Sequence, residues 1–251
     1  MARKCVFCGA QETTREHVFE QEISTVLGIT GPITLARGAP YTAVRPPSAT
    51  LDVVVRATCR PCNNIWLNGI WGRFRDVMTP AMLNTSSVTL SVQGQLDVSM
   101  WAVKTALLLE MATRAMRGDA FLPLNHFTYL RDQGHPPPGT EVWLFRAHVA
   151  NAMPAWHQAG VLRGGRSPMA YIATFTVGYL GLQVLGRKIV ETGDGRIIFY
   201  GHPVEPPAAL NGTLQQILPV ESFSVTWPPA LTIKASDLPI VARWPQVVWH
   251  P

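Results

Sequence analysis

Cys5-Val6-Phe7-Cys8 and Cys59-Arg60-Pro61-Cys62-Asn63 contain every cysteine of the chain and arrange them as two C-x-x-C pairs. Four thiols in two pairs, with none left over, match one tetrahedral zinc site to which each pair gives two thiolates. A redox C-x-x-C needs a thioredoxin-like βαβ setting, which neither pair has, and that reading leaves the second pair unexplained. Disulfides fit poorly as well. Met1-Ala2-Arg3-Lys4 leads into the first cysteine with no apolar signal segment, so a reducing, cytoplasmic location is expected. The gap between the pairs far exceeds the roughly 15–20 residues of compact zinc modules, which requires a long internal excursion.

Working outward from the second pair, the β-branched run 51–58 predicts a strand feeding the knuckle. Asn63 then opens a helix with Trp66, Ile70 and Phe74 at i, i+4 and i+8. Gly69 and Gly72 weaken that helix by roughly 1 kcal/mol each relative to alanine, so its stability has to come from the zinc and from packed tryptophans. After the first pair, Thr14-Arg15-Glu16-His17-Val18-Phe19 reads as a second strand. Between them, residues 20–49 carry Gly28, Gly31-Pro32, Gly38, Pro40 and Pro46-Pro47, the punctuation of a surface loop.

The 251 residues, 47% of them hydrophobic, give ample material for a core, and the division expected is a cysteine module over 1–79 followed by a larger region over 80–251. That region begins with the strongest helix signal, 95–117, where Leu96, Met100, Val103, Leu107 and Met111 recur at helical spacing and other apolar residues predict burial on more than one side. Lys104, Glu110 and Arg114 break the stretch, so it is not a membrane span. Strands are predicted at 141–149, 170–177 and 179–185, with a hairpin over 188–200 reversed at Gly193-Asp194-Gly195. Pro136-Pro137-Pro138 reads as a stiff connector. The fold class is α+β: a zinc-stapled ββα module, then a helix and an antiparallel β-rich part. Net charge of +5 favours a polyanionic partner, though the excess is spread along the chain.

Cys5, Cys8, Glu16-His17-Val18, Cys59, Cys62 and Asn63 together resemble the HNH, or ββα-metal, endonucleases, in the treble-clef-like subgroup with two C-x-x-C knuckles. The resemblance covers about the first third of the chain. Cys62-Asn63-Asn64-Ile65-Trp66-Leu67, Trp101 to Ala106 and Trp227-Pro228-Pro229 extend it to uncharacterised bacterial and phage proteins of that family. It implies cleavage of nucleic acid, DNA rather than RNA, with phage or host-defence use. It also implies His17 as general base, Glu16 and Asn63 as ligands of a catalytic Mg²⁺ or Mn²⁺, and zinc on the four cysteines. The chain departs from the family pattern in having no Asn between Val18 and Cys59, where Thr50 and Asp52 are the available substitutes, and Phe19-Glu20 stand in place of a proline.

The chemistry is consistent with those roles. Phosphodiester hydrolysis needs an activated water and neutralised charge on the phosphorane and leaving oxygen. A hard cation takes oxygen ligands and retains water, so one carboxylate and one amide oxygen suffice from the protein, whereas a closed four-cysteine site has no position for water. Each residue also has a plainer reading. A Glu-His pair is commonly a strand-end surface pair, and an Asn after C-x-x-C is commonly a helix cap. Arg15, Arg56, Arg60, Arg73 and Arg75 are candidate phosphate contacts or solvated surface charges. Trp66 and Trp71 are core residues or stacking platforms. The other six histidines show no ligand spacing. Two further functional classes remain beside the nuclease: a zinc-dependent nucleic-acid-binding module without catalysis, and a structural or regulatory interaction protein.

Overall fold

The computed structural model describes residues 4–11, 13–29, 36–37, 42–43, 53–117, 124–148, 155–161, 168–193, 196–199 and 205–247. Strand β1 (Thr14–His17) is followed by a short helix α1 (Glu22–Val26), by β2 (Ala36–Arg37) paired to β3 (Thr42–Ala43), and by β4 (Val54–Thr58). β4 returns antiparallel to β1, with Arg15 opposite Arg56, Glu16 opposite Val55 and His17 opposite Val54. From Cys62 the chain winds as a π-helical stretch to Leu67 and continues without a break into α2 (Asn68–Leu83). The predicted strand–excursion–strand–helix order is present.

The excursion is not all surface loop. Phe19 and Ile23 are buried, the Trp71 indole donates to Glu22 at 2.7 Å, and Arg75 reaches the same carboxylate at 3.0 Å. An apolar residue on a short helix stabilises it by burial even where glycines flank it, and glycine content alone did not register Ile23. The stretch 20–29 is therefore part of the packed structure; 30–35, 38–41 and 44–50 lie outside the described residues.

Beyond α2, β5 (Val88–Ser91) runs into α3 (Val92–Arg117), followed by α4 (Leu124–Gln133). The connector Pro136–Pro138 then leads to β6 (Glu141–His148), β7 (Ala155–Val161), β8 (Pro168–Val177) and β9 (Leu180–Arg187). β10 (Ile189–Glu191) and β11 (Ile197–Phe199) form the expected small hairpin, whose turn at 194–195 lies outside the described residues. β12 (Leu214–Leu218), β13 (Ser224–Trp227), β14 (Thr232–Lys234) and α5 (Leu238–Val247) complete the elements. The main sheet has the order β12-β6-β9-β8-β7, with β14 alongside β6 as the one parallel pairing among the described residues, and β13 pairs β5 apart from it.

Alternation along β6 explains the layering. Val142 and Leu144 join the cluster under α3, while Trp143, Phe145 and Ala147 join a second cluster with Leu238 and Val241 of α5. Both sheet faces are covered by helices, so these strands are apolar on both sides. In α3 every residue from Val98 to Glu110 is buried, the multi-sided burial expected from its composition. The first cluster is continuous from Cys5, Phe7 and Cys62 through Trp101 to Phe175 and Leu182, so the cysteine region and the sheet share one core. Gly178, at φ +60° in the β8–β9 turn, allows a close approach: a Cβ there would lie 2.2 Å from the Met82 carbonyl. That same carbonyl accepts from the Tyr179 amide at 3.0 Å and ties α2 to the sheet.

Candidate metal centre and the strand beside it

The first knuckle turns tightly at Gly9, φ +75°, where its amide donates to the Cys5 carbonyl, and the Val6 amide joins the knuckle to Ala57 of β4. The second knuckle caps the helix start, with the Asn63 amide donating to the Cys59 carbonyl at 2.9 Å. Together they bring the sulfurs of Cys5, Cys8, Cys59 and Cys62 within 4.8 Å of one another, and Cys8 Sγ lies 3.5 Å from Cys59 Sγ. A tetrahedral zinc with bonds of about 2.3 Å separates its sulfurs by about 3.8 Å, so the cluster could hold such an ion.

The thiols are electrostatically unequal. Burial pushes Cys5 up, but hydrogen bonds from the backbone of Cys59, Cys8 and Phe7 outweigh it and leave the group lowered to about 7. Burial and the neighbouring sulfurs of Cys59 and Cys8 push Cys62 up. Four thiolates cannot crowd together without a cation, and a divalent ion would supply one.

Glu16 and His17 occupy successive positions of β1 and so face opposite ways. Glu16 points inward and is 6% exposed, not the surface pair that a bare Glu-His suggests. Burial raises its carboxyl to about 7; Lys104 draws it down and Glu20 pushes it up. Lys104, fully buried on α3, sits 2.5 Å from Glu20 Oε1 and 3.5 Å from the Val18 carbonyl, while the Trp101 indole donates to Glu20 Oε2 at 3.0 Å. Phe74 stacks on Trp101 at 3.9 Å, which roofs this polar cluster with aromatic rings. Lys104 and Glu20 are the residues that motif reading missed. The one available signal was a lysine in a helix otherwise apolar on every side, and it had served only to exclude a membrane span.

His17 shares the outward side of β1 with Arg15, and Arg56 lies directly across from Arg15. Asn63 is not a helix cap. It lies inside the helical run, and its Nδ2 donates to the Arg15 carbonyl at 2.8 Å and to Thr14 Oγ1 at 3.0 Å, stapling the helix to β1. Its second contact leaves Oδ1 as the acceptor end of the amide. Of the other arginines, Arg73 pairs with Asp97 at 2.8 Å and Arg75 with Glu22 and Asp76, whereas Arg56 and Arg60 are exposed. Trp71 is buried in the core, and Trp66 is half-buried against Phe7. Thr50 and Asp52 lie outside the described residues.

For a catalytic cation the donor chemistry fits in part. Glu16 is a desolvated carboxyl beside Glu20, with Lys104 near both and bonded to Glu20, and Asn63 offers an amide oxygen. The orientation does not match a site shared with His17, because Glu16 and His17 leave opposite faces of the strand.

No family model matches the chain, and neither the curated proteins nor the solved structures contain a match to it. Three features therefore stand on geometry alone: an α+β fold, a four-cysteine cluster, and among the described residues no helix long and apolar enough to cross a membrane.

Proposed function

We propose that the protein is a zinc-stapled endonuclease of the ββα-metal kind that hydrolyses phosphodiester bonds in DNA. The observation that supports this reading most is the join between helix and strand. The cysteine cluster and the Asn63 amide together lock the helix start onto the strand that carries Glu16 and His17. His17 takes the proton of the attacking water at an imidazole nitrogen, on a face flanked by Arg15 and Arg56. Like charges directly opposite across two strands cost stability, and a phosphate placed over them offsets that cost. A bound Mg²⁺ or Mn²⁺ would supply charge neutralisation at the phosphorane; Asn63 would hold it on the His17 side, and Glu16 would join as a ligand only with its side chain turned out of the core. Zinc on the four thiolates is structural.

The inward face of Glu16 favours a second reading, a zinc-dependent nucleic-acid-binding module without catalysis. A plasmid-nicking assay with Mg²⁺ or Mn²⁺ separates the two. The nuclease reading expects metal-dependent nicking that His17→Ala abolishes while DNA binding is retained. Wild-type protein that binds DNA yet cuts with neither ion leaves the binding module, and equal cutting by His17→Ala removes the assignment of this site.

A further inference from the structure

α4 meets the cysteine cluster with one face. Phe127 and Arg131 are four residues apart and so lie on the same side of that helix. Phe127 is fully buried, and its ring meets Phe7, the knuckle residue between Cys5 and Cys8, at 5.3 Å. The Arg131 guanidinium lies over the Trp66 ring at 5.3 Å, and Trp66 in turn meets Phe7 edge-on at 4.9 Å. A shallow pocket of about 370 Å³ opens over the cluster, lined by Cys8, Cys59 and Cys62 together with Arg60 and Arg131. Arg131 and Cys62 thus line the same pocket, and Trp66, on which the guanidinium rests, lies four residues on from Cys62.

Charge gives this contact a purpose. Zinc with four thiolates carries a net charge of −2, and the two guanidiniums over the open side bring the group to neutrality. Donors to a ligating sulfur hold it in orientation, and arginine suits the place because its planar fork stacks on an indole while its N–H groups point past the ring. We propose that Arg131 is an outer-sphere positioning residue of the metal centre, donating from α4 to the Cys62 sulfur while anchored on Trp66. α4 thereby couples metal retention to the part of the chain that carries the sheet. This inference rests on the reading of the four cysteines as a zinc site.

The test uses the full-length protein, with zinc content measured first on the wild type. Transfer of zinc to a chromophoric chelator and the thiolate-to-metal charge-transfer band of the Co²⁺-substituted form are then compared for wild type, Arg131→Gln and Arg131→Lys. The expected result for Arg131→Gln is a 10- to 100-fold loss of metal affinity and a shifted band, as for other outer-sphere substitutions. Arg131→Lys, which keeps the charge but not the fork, should fall between. A thermal melt of each zinc-loaded variant separates these effects from misfolding, since the band position reports on the sulfur and not on global stability. Unchanged release and an unchanged band in Arg131→Gln overturn the proposal. If that variant keeps both but loses DNA affinity, Arg131 is a phosphate contact instead. Wild-type protein without metal removes the zinc reading itself and this inference with it.

Discussion

Glu16 is the residue at which stability and proposed function pull apart. Its carboxyl, near 4.5 in the unfolded chain, is raised to about 7 in the fold by burial. Between those values the folded state holds the extra proton, so the contribution of Glu16 is favourable below about pH 4.5 and is lost as pH rises through 7. Glu16→Gln should therefore stabilise the protein by about 3 kcal/mol at pH 8 and by close to nothing at pH 4, read from urea midpoints at the two pH values. A loss of stability at pH 8 would mean that the carboxylate is well compensated after all. Lys104 behaves in the opposite sense. Removing its ammonium strands Glu20 in a largely buried site, so Lys104→Met should cost about 3–5 kcal/mol. Lys104→Met together with Glu20→Leu should recover much of that loss, which a double-mutant cycle would measure.

The elements differ in how far they could be read ahead. β1, β4, the helix after Cys62, α3 and the strands β6, β8 and β9 carry strong periodicity or β-branched runs, and they stand within a few residues of their expected bounds. α1 did not, because five residues give no period, and its existence depends on Ile23 entering a pocket made by distant chain. Ile23→Ala should accordingly cost about 2–5 kcal/mol in denaturant unfolding, where a surface loop residue would cost almost nothing. The pairing of β13 with β5 and the crossing of β14 beside β6 are products of tertiary packing that no local pattern records. The clustering of the four cysteines was legible because two C-x-x-C pairs with no thiol left over point to one shared site. The inward turn of Glu16 was not, since strand alternation fixes only that Glu16 and His17 part company, not which of them meets the core. α4 adds a pH dependence of its own: burial lowers His126 to about 4, against about 6.5 when unfolded. The unfolded chain binds the proton first, so the contribution of His126 falls by about 3 kcal/mol as pH drops from 6.5 to 4, against the opposite trend at Glu16. His126→Phe should remove that loss, so the variant gains about 3 kcal/mol more than the wild type on going from pH 6.5 to pH 4, read from urea midpoints.

At the scale of the whole molecule, one apolar cluster runs from the knuckles through α2 and α3 to the sheet, and the cysteine cluster sits at its rim. Binding of an ion there would be linked to folding, because the four sulfurs come together only when β4, the helix start and the first knuckle are in place. Everything proposed for the chain depends on those four sulfurs sharing one ion. Native mass spectrometry of protein purified without added metal measures this directly. The expected mass exceeds that of the bare chain by one zinc, and Cys59→Ser should lose both the metal and the cooperative unfolding transition of the knuckle region. A wild-type chain that is fully folded, metal-free and alkylated at all four cysteines without loss of structure would contradict it.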